Sequence, residues 1–174
     1  MIPEIEFTCR ERKHFINFIT VEQYKKYVNL MEKNNSDRFA DVMFFNKKIM
    51  QELFGNGMSL AEIGEVEVVE FLTAIKAIHF TMQNIIAEKM MSIVDVEPVE
   101  KQESAFDEYD RENGYEDEEQ SEENQWKVCG QIVDRVLKIA IRLLNNSYSQ
   151  CMKEDIVALL DYLKFELDTL NENQ

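Results

Sequence analysis

The chain has 174 residues, 45% of them hydrophobic, and a formal net charge of −15 at neutral pH. That length fits one ordinary domain, or a domain with a smaller helical unit, and the composition excludes a chain that is disordered throughout. The acidic balance argues against direct nucleic-acid binding, which needs a net basic face, and no window reaches the ~18 apolar residues of a membrane-spanning helix.

The first twenty residues show the weakest secondary-structure pattern of the chain. The segment EIEFTCR alternates charged and apolar residues, as either a short strand or an extended arm would. Thr20 and Gln23 then form a capping-box pattern, and apolar residues follow at helical spacing. The sequence therefore predicts a first helix over residues 21–33.

A second helix is predicted after the polar break NNSD. One face of it is lined by residues at three- to four-residue spacing: Phe39, Val42 or Met43, Asn46, Ile49 or Met50, and Leu53. Gly55 and Gly57 are expected to end this helix, since glycine commonly follows a helix terminus. Ser59 and Glu62 predict another capping box, for one short turn.

The longest predicted helix covers residues 65–94, which contain neither Gly nor Pro. At ~1.5 Å per residue it would approach ~45 Å, more than a small domain requires. We therefore expect it either to break or to project. The β-branched run VEVV makes its first turn the weakest part of the prediction.

Residues 95–125 hold 14 acidic and 2 basic side chains and show no periodic apolar pattern. Residues 1–94 have 13 acids against 11 bases, and residues 126–174 have 7 against 6. Repulsion between the carboxylates favours an extended chain. The string DEYDRENGYEDEE lacks the ligand alternation of a calcium-binding loop. We therefore interpret residues 95–125 as an acidic disordered linker.

Two amphipathic helices follow, separated by the polar string NNSYSQ, and they predict an antiparallel helical hairpin over residues 126–174. A hairpin of ~50 residues buries too little apolar surface to be stable alone. It is expected to dock on the N-terminal part, on a second copy as a homo-oligomer, or on another partner. The predicted fold is thus mainly α, with an N-terminal helical domain at 1–94.

The sequence offers little for catalysis or for a metal or cofactor. Its two histidines, His14 and His79, lie outside any motif with metal-ligand spacing, and His79 falls on the apolar stripe of the long helix. The three cysteines, Cys9, Cys129 and Cys151, are widely separated and odd in number, which favours buried free thiols in a reducing compartment. We predict a non-enzymatic protein without a cofactor.

Nine methionines leave two interpretations open. They are core filler, or they form an adaptable surface that accepts varied apolar helices, because the thioether is flexible and polarizable. Under the second interpretation the partner-binding residues are on the second helix: Phe39, Met43, Met50 and Phe54.

Several segments together resemble tail assembly chaperones of tailed bacteriophages, particularly those of large contractile-tailed phages of Gram-positive hosts. They are EIEFTCRERKHFINFITVEQYKKYVNLMEKN, DRFADVMFFNKKIMQELFG, VDRVLKIAIRLLNNSYSQCM and DIVALLDYLKFELDTL. The resemblance implies a small helical protein of the host cytoplasm that coats the apolar tape measure protein, keeps it soluble and brings tail tube subunits to it. It implies no specific site residues.

A second hypothesis belongs to a different class. The acidity of residues 95–125 also suits a phage-encoded inhibitor that binds a host enzyme or a nucleic-acid-binding protein. Chaperone binding would depend on the apolar helix faces, whereas inhibitor binding would depend on the carboxylates.

Overall fold

The computed structural model describes residues 2, 4–34, 38–54, 58–94 and 125–172. Within these residues the protein is mainly helical, with seven helices and one two-stranded antiparallel sheet. The predicted mainly α fold is thereby confirmed. The acidic linker predicted at residues 95–125 lies outside the described residues, apart from Gln125.

Two strands come first, β1 (Ile5–Cys9) and β2 (Arg12–Ile16). Three helices follow: α1 (Val21–Lys33), α2 (Phe39–Phe54) and the single turn α3 (Leu60–Ile63). The long helix α4 has an α-helical part Val68–Asn84, a π-helical turn Ile85–Met90 and a last turn Met91–Val94. The C-terminal part contains α5 (Gln125–Leu144), the single turn α6 (Tyr148–Cys151) and α7 (Ile156–Glu172).

The N-terminal segment is a strand rather than an arm, and it pairs with a second strand that the sequence pattern did not predict. The turn between them, Arg10 and Glu11, has φ angles of 48° and 64°, a left-handed geometry that Asn and Gly adopt most easily. The Arg10 guanidinium donates to Glu65 at 2.6 Å and 2.7 Å and to Glu62 at 3.1 Å. Because these charged contacts hold Arg10 in place, the turn forms without glycine.

Helix α1 has the bounds that the sequence predicts. The Thr20 hydroxyl accepts the Gln23 N–H at 3.2 Å, and the Gln23 side chain accepts the Thr20 N–H at 2.9 Å, which completes the capping box. The tyrosines of α1 are buried, and the Tyr24 hydroxyl donates to the Met82 carbonyl at 2.8 Å. Helix α1 is therefore locked onto the middle of α4.

The capping box of Ser59 and Glu62 is also present, but α4 begins at Val68 rather than at residue 65. Residues 64–67 form a turn instead, in which the Glu65 N–H donates to the Glu62 carbonyl at 3.0 Å. The long helix does not break as one of the two expectations had it; it contains a π-helical turn, Ile85–Met90. This turn leaves the helix continuous to Val94.

The C-terminal helices dock on the N-terminal part, which answers a question that the sequence left open. The Val21 N–H donates to the Glu154 carbonyl at 3.1 Å, and the Ile156 N–H donates to the Ile19 carbonyl at 2.8 Å. The edge of the Trp126 ring packs on Tyr27, with centroids 5.5 Å apart. A single hydrophobic core includes buried residues from both parts.

Asp155 anchors this junction, because its carboxylate accepts the Ile19 N–H at 3.3 Å and the Ala158 N–H at 2.8 Å. We expect Asp155→Ala to lower the free energy of unfolding by about 1–2 kcal/mol, the usual cost of losing a helix cap. Urea denaturation followed by circular dichroism measures this, with the exposed Asp168→Ala as the matched control. One cooperative transition is expected; two separate transitions would contradict a shared core.

Candidate protein-binding surface

The apolar stripe of α2 begins outside the core and ends inside it. At its C-terminal end Ile49, Met50 and Leu53 are buried. None of residues 39–48 is buried, although Phe39 and Met43 belong to the same helix face as Met50. The first half of α2 therefore extends past the edge of the core and presents part of its apolar face to solvent.

The four residues that the sequence assigned to partner binding have different environments. Phe39 is 77% exposed, whereas Met43 is half-buried against the core. Met50 is 0% exposed, so it acts as core filler in this structure and offers no accessible surface. Phe54 is the last residue of α2, and its side chain lies outside the described residues. We define the overhanging surface as Phe39, Met43 and Phe44.

Phe44 extends the overhanging surface around the helix. It is 47% exposed, and its ring meets that of Phe45 edge to face with centroids 6.1 Å apart. The Lys48 ammonium lies 4.7 Å from the centroid of the Phe44 ring, within cation–π range. Aromatic residues are enriched at protein interfaces, because they combine a large apolar area with few rotatable bonds.

A partly buried polar network fixes α2 to the core behind this surface. The Tyr27 hydroxyl lies 2.9 Å from His79 Nδ1, and His79 Nε2 lies 3.1 Å from Asn46 Oδ1. A neutral imidazole protonated at Nε2 satisfies both contacts, with Tyr27 donating and Asn46 accepting. Burial lowers the pKa of His79, which favours the same neutral form. His79 thus connects α1, α2 and α4 as a structural residue.

The sequence held a signal for this network. Asn46 is a polar residue on an otherwise apolar stripe, and His79 is another. Two such residues on different helices indicate a buried hydrogen-bonded pair, because a lone buried amide would be costly. Periodicity alone did not show that they face each other.

Other exposed apolar residues lie on α4 and α7. Val68, Val69 and Leu72 are adjacent on the first turns of α4, and each is 47–65% exposed. Phe165 on α7 is 63% exposed, and Tyr162 lies one turn before it at 52%. These residues are further exposed apolar side chains on helices whose other faces pack in the core.

The described residues contain no group of three or more His, Cys, Asp or Glu side chains that could hold a metal ion. No helix in the described ranges is long and apolar enough to cross a membrane. The Glu70 carboxylate accepts the Thr8 N–H at 3.0 Å, which is a structural contact. All three cysteines are free and buried, and burial raises the pKa of Cys129 and Cys151.

Searches with the chain matched no protein-family model, no curated protein and no solved structure.

The His79 network makes stability depend on pH. Because its folded-state pKa is lowered from about 6.5, the unfolded chain binds a proton first as the pH falls below that value. The contribution of neutral His79 to the free energy of unfolding is thus fully present above about pH 6.5, and it is lost as the pH falls through the lower folded-state pKa. Imidazole NMR of the His14→Gln variant, which leaves one histidine, measures this pKa directly.

Asn46→Asp tests the contact between His79 and Asn46. A carboxylate opposite Nε2 stabilises the imidazolium, so the pKa of His79 rises and the acid sensitivity of the unfolding midpoint becomes smaller. An unchanged His79 pKa in Asn46→Asp would contradict the contact.

Proposed function

We propose that this protein is a non-enzymatic assembly chaperone for the tail of a bacteriophage, acting in the host cytoplasm on the tape measure protein. The exposed end of the apolar α2 stripe is the observation that supports binding of an apolar helical client. The resemblance to tail assembly chaperones supplies the identity of that client, and it implies the tail tube protein as a second partner.

Burial of Phe39 by a binding partner would be energetically favourable. Burying a phenylalanine contributes about 1.5–3 kcal/mol, and Phe39 gains little of this in the isolated chain because 77% of it is exposed. Phe44 is 47% exposed. A client helix laid along the first half of α2 would cover both rings and Met43 in one groove-like contact. The half-buried thioether of Met43 would adapt to different client side chains.

The acidic inhibitor hypothesis calls for a different kind of contact. It requires carboxylates of residues 95–125 to bind a basic surface, so salt would weaken the complex. Binding through the overhanging surface is apolar and would persist or strengthen at high salt. The presence of the overhanging surface therefore favours the chaperone hypothesis over the inhibitor hypothesis. Under the chaperone hypothesis, the role of the acidic residues is to keep the complex soluble.

Phe39→Ser tests the proposed surface. Loss of about 1.5–3 kcal/mol of apolar burial is expected to weaken client binding roughly ten- to a hundred-fold. The measurement is the soluble fraction of the tape measure protein encoded nearby when it is co-expressed with the variant. Because Phe39 is exposed, the thermal unfolding midpoint of the variant should stay near that of the wild type.

Phe165→Ser removes an aromatic side chain that is 63% exposed on α7 and serves as the matched control. It is expected to leave client solubility unchanged. Equal losses in the two variants would mean that the effect is not specific to α2. If the tape measure protein is equally insoluble with and without the wild-type chain, the proposed function fails.

A linker replacement separates the two hypotheses. Residues 102–124 are exchanged for a neutral flexible spacer of the same length, which removes most of the negative charge and leaves the described helices unchanged. The chaperone proposal predicts that most client solubility is retained in co-expression. Collapse of client binding, reproduced by high salt on the wild type, would instead support an electrostatic inhibitor.

A further inference from the structure

The N-terminal sheet has one edge that donates a main-chain hydrogen bond to a side chain of α4. The outward main-chain groups of the other edge bond to no described residue, although the C-terminal end of α2 lies near it. In an antiparallel hairpin with a two-residue turn, the flanking residues Cys9 and Arg12 exchange main-chain hydrogen bonds, and the pattern alternates outward from them. Thr8 therefore points its N–H away from β2, and the Glu70 carboxylate accepts it at 3.0 Å. The β1 edge is thus engaged by α4.

The same alternation points the N–H and C=O groups of Lys13 and Phe15 away from β1. Within the described part of the chain, these outward groups have no hydrogen-bond partner. A cavity of about 300 Å³ lies beside this edge and is lined by residues 13–18 together with Gln23 and Leu53. The edge therefore has both unpaired main-chain groups and adjacent space.

Exposed aromatic residues accompany the open edge. Phe15 is 60% exposed on the outer face of the hairpin, and Phe18, just beyond β2, is 57% exposed. Unpaired main-chain groups beside exposed aromatic side chains form a surface that another strand would complete. A helix offers no free main-chain groups there, so the client helix proposed for α2 does not fit this edge.

We infer that β2 pairs antiparallel with β2 of a second copy of this chain, which forms a continuous four-stranded sheet across a two-fold axis. Since the edge is its own complement, an isologous contact satisfies both copies at once. A register centred on Phe15 places the two Phe15 residues opposite each other with reciprocal main-chain hydrogen bonds. It places Lys13 opposite Asn17 and His14 opposite Ile16.

This register has no pair of like charges face to face. Lys13, whose ammonium lies 3.7 Å from Glu6 of its own chain, meets a neutral amide in the second copy. Cross-strand aromatic pairs stabilise sheets, whereas directly opposed like charges destabilise them. A strand pair of this length buries less than the roughly 1,200 Å² of a standard stable interface, so the dimer is of the weak, concentration-dependent class. This dimer contact does not involve the overhanging surface of α2, where the client is proposed to bind.

A charge-swap pair tests the register. Phe15→Glu and Phe15→Lys each place like charges on the two-fold axis, so each variant alone is expected to be monomeric at concentrations where the wild type dimerises. An equimolar mixture of the two variants places opposite charges together and should recover a dimer. Sedimentation velocity measures all three samples, and circular dichroism verifies that each variant is folded.

Phe15→Cys provides an independent readout. Directly opposed residues of a hydrogen-bonded pair have Cα atoms about 5.5 Å apart, within disulfide range, so oxidation should rapidly yield a covalent dimer. Phe80→Cys on α4, where the native side chain is 63% exposed, is the matched control. A wild type that stays monomeric over a wide concentration range would overturn the proposal. So would a dimer that persists in Phe15→Glu, or cross-linking no faster than in Phe80→Cys.

Discussion

Three main-chain hydrogen bonds between the start of α1 and residues 152–156 determine how the protein is assembled. They run from Val21 to Glu154, from Glu22 to Met152 and from Ile156 to Ile19. The first two satisfy N–H groups that the beginning of any helix leaves without an intrahelical partner. Because the acceptors come from the turn before α7, the N-terminus of α1 forms fully only when the C-terminal helices are docked.

The position of α2 follows from that docking. Helix α1 packs against α5 and α2, and its Tyr27 supports the His79–Asn46 contact at the middle of α2. Only the buried residues at the C-terminal end of α2 and the side chain of Asn46 are fixed in this way. Phe39 lies one turn before Met43, the first residue of this face that packs on the core, and it remains in solvent.

Local signals in the sequence predicted much of the helical fold. The capping boxes at Thr20 and Ser59 lie where they were expected, because each depends on residues only three positions apart. Strand β2 was missed because its turn is formed by Arg10 and Glu11, and the acidic side chains that hold Arg10 are more than fifty residues away. No local pattern encodes that contact.

The candidate surface was predictable only in part. Periodicity identified Phe39, Met43 and Met50 as one face of α2, but it does not show where the core beside a helix ends. That limit depends on the packing of α1 and α4, and it separates an exposed Phe39 from a fully buried Met50. The docking of the C-terminal hairpin was undecided for the same reason, since an amphipathic face specifies no partner.

The π-helical turn of α4 shows where the chain tolerates a change in length. Met90 comes five positions after Ile85, both of them are buried, and in a regular α-helix they would lie about 140° apart around the axis. The wider π-helical turn accommodates one additional residue, so that both side chains still face the core. Removing one residue there would leave a regular four-residue interval and keep Ile93 toward the core. The same deletion earlier in α4 would rotate every later side chain by about 100°.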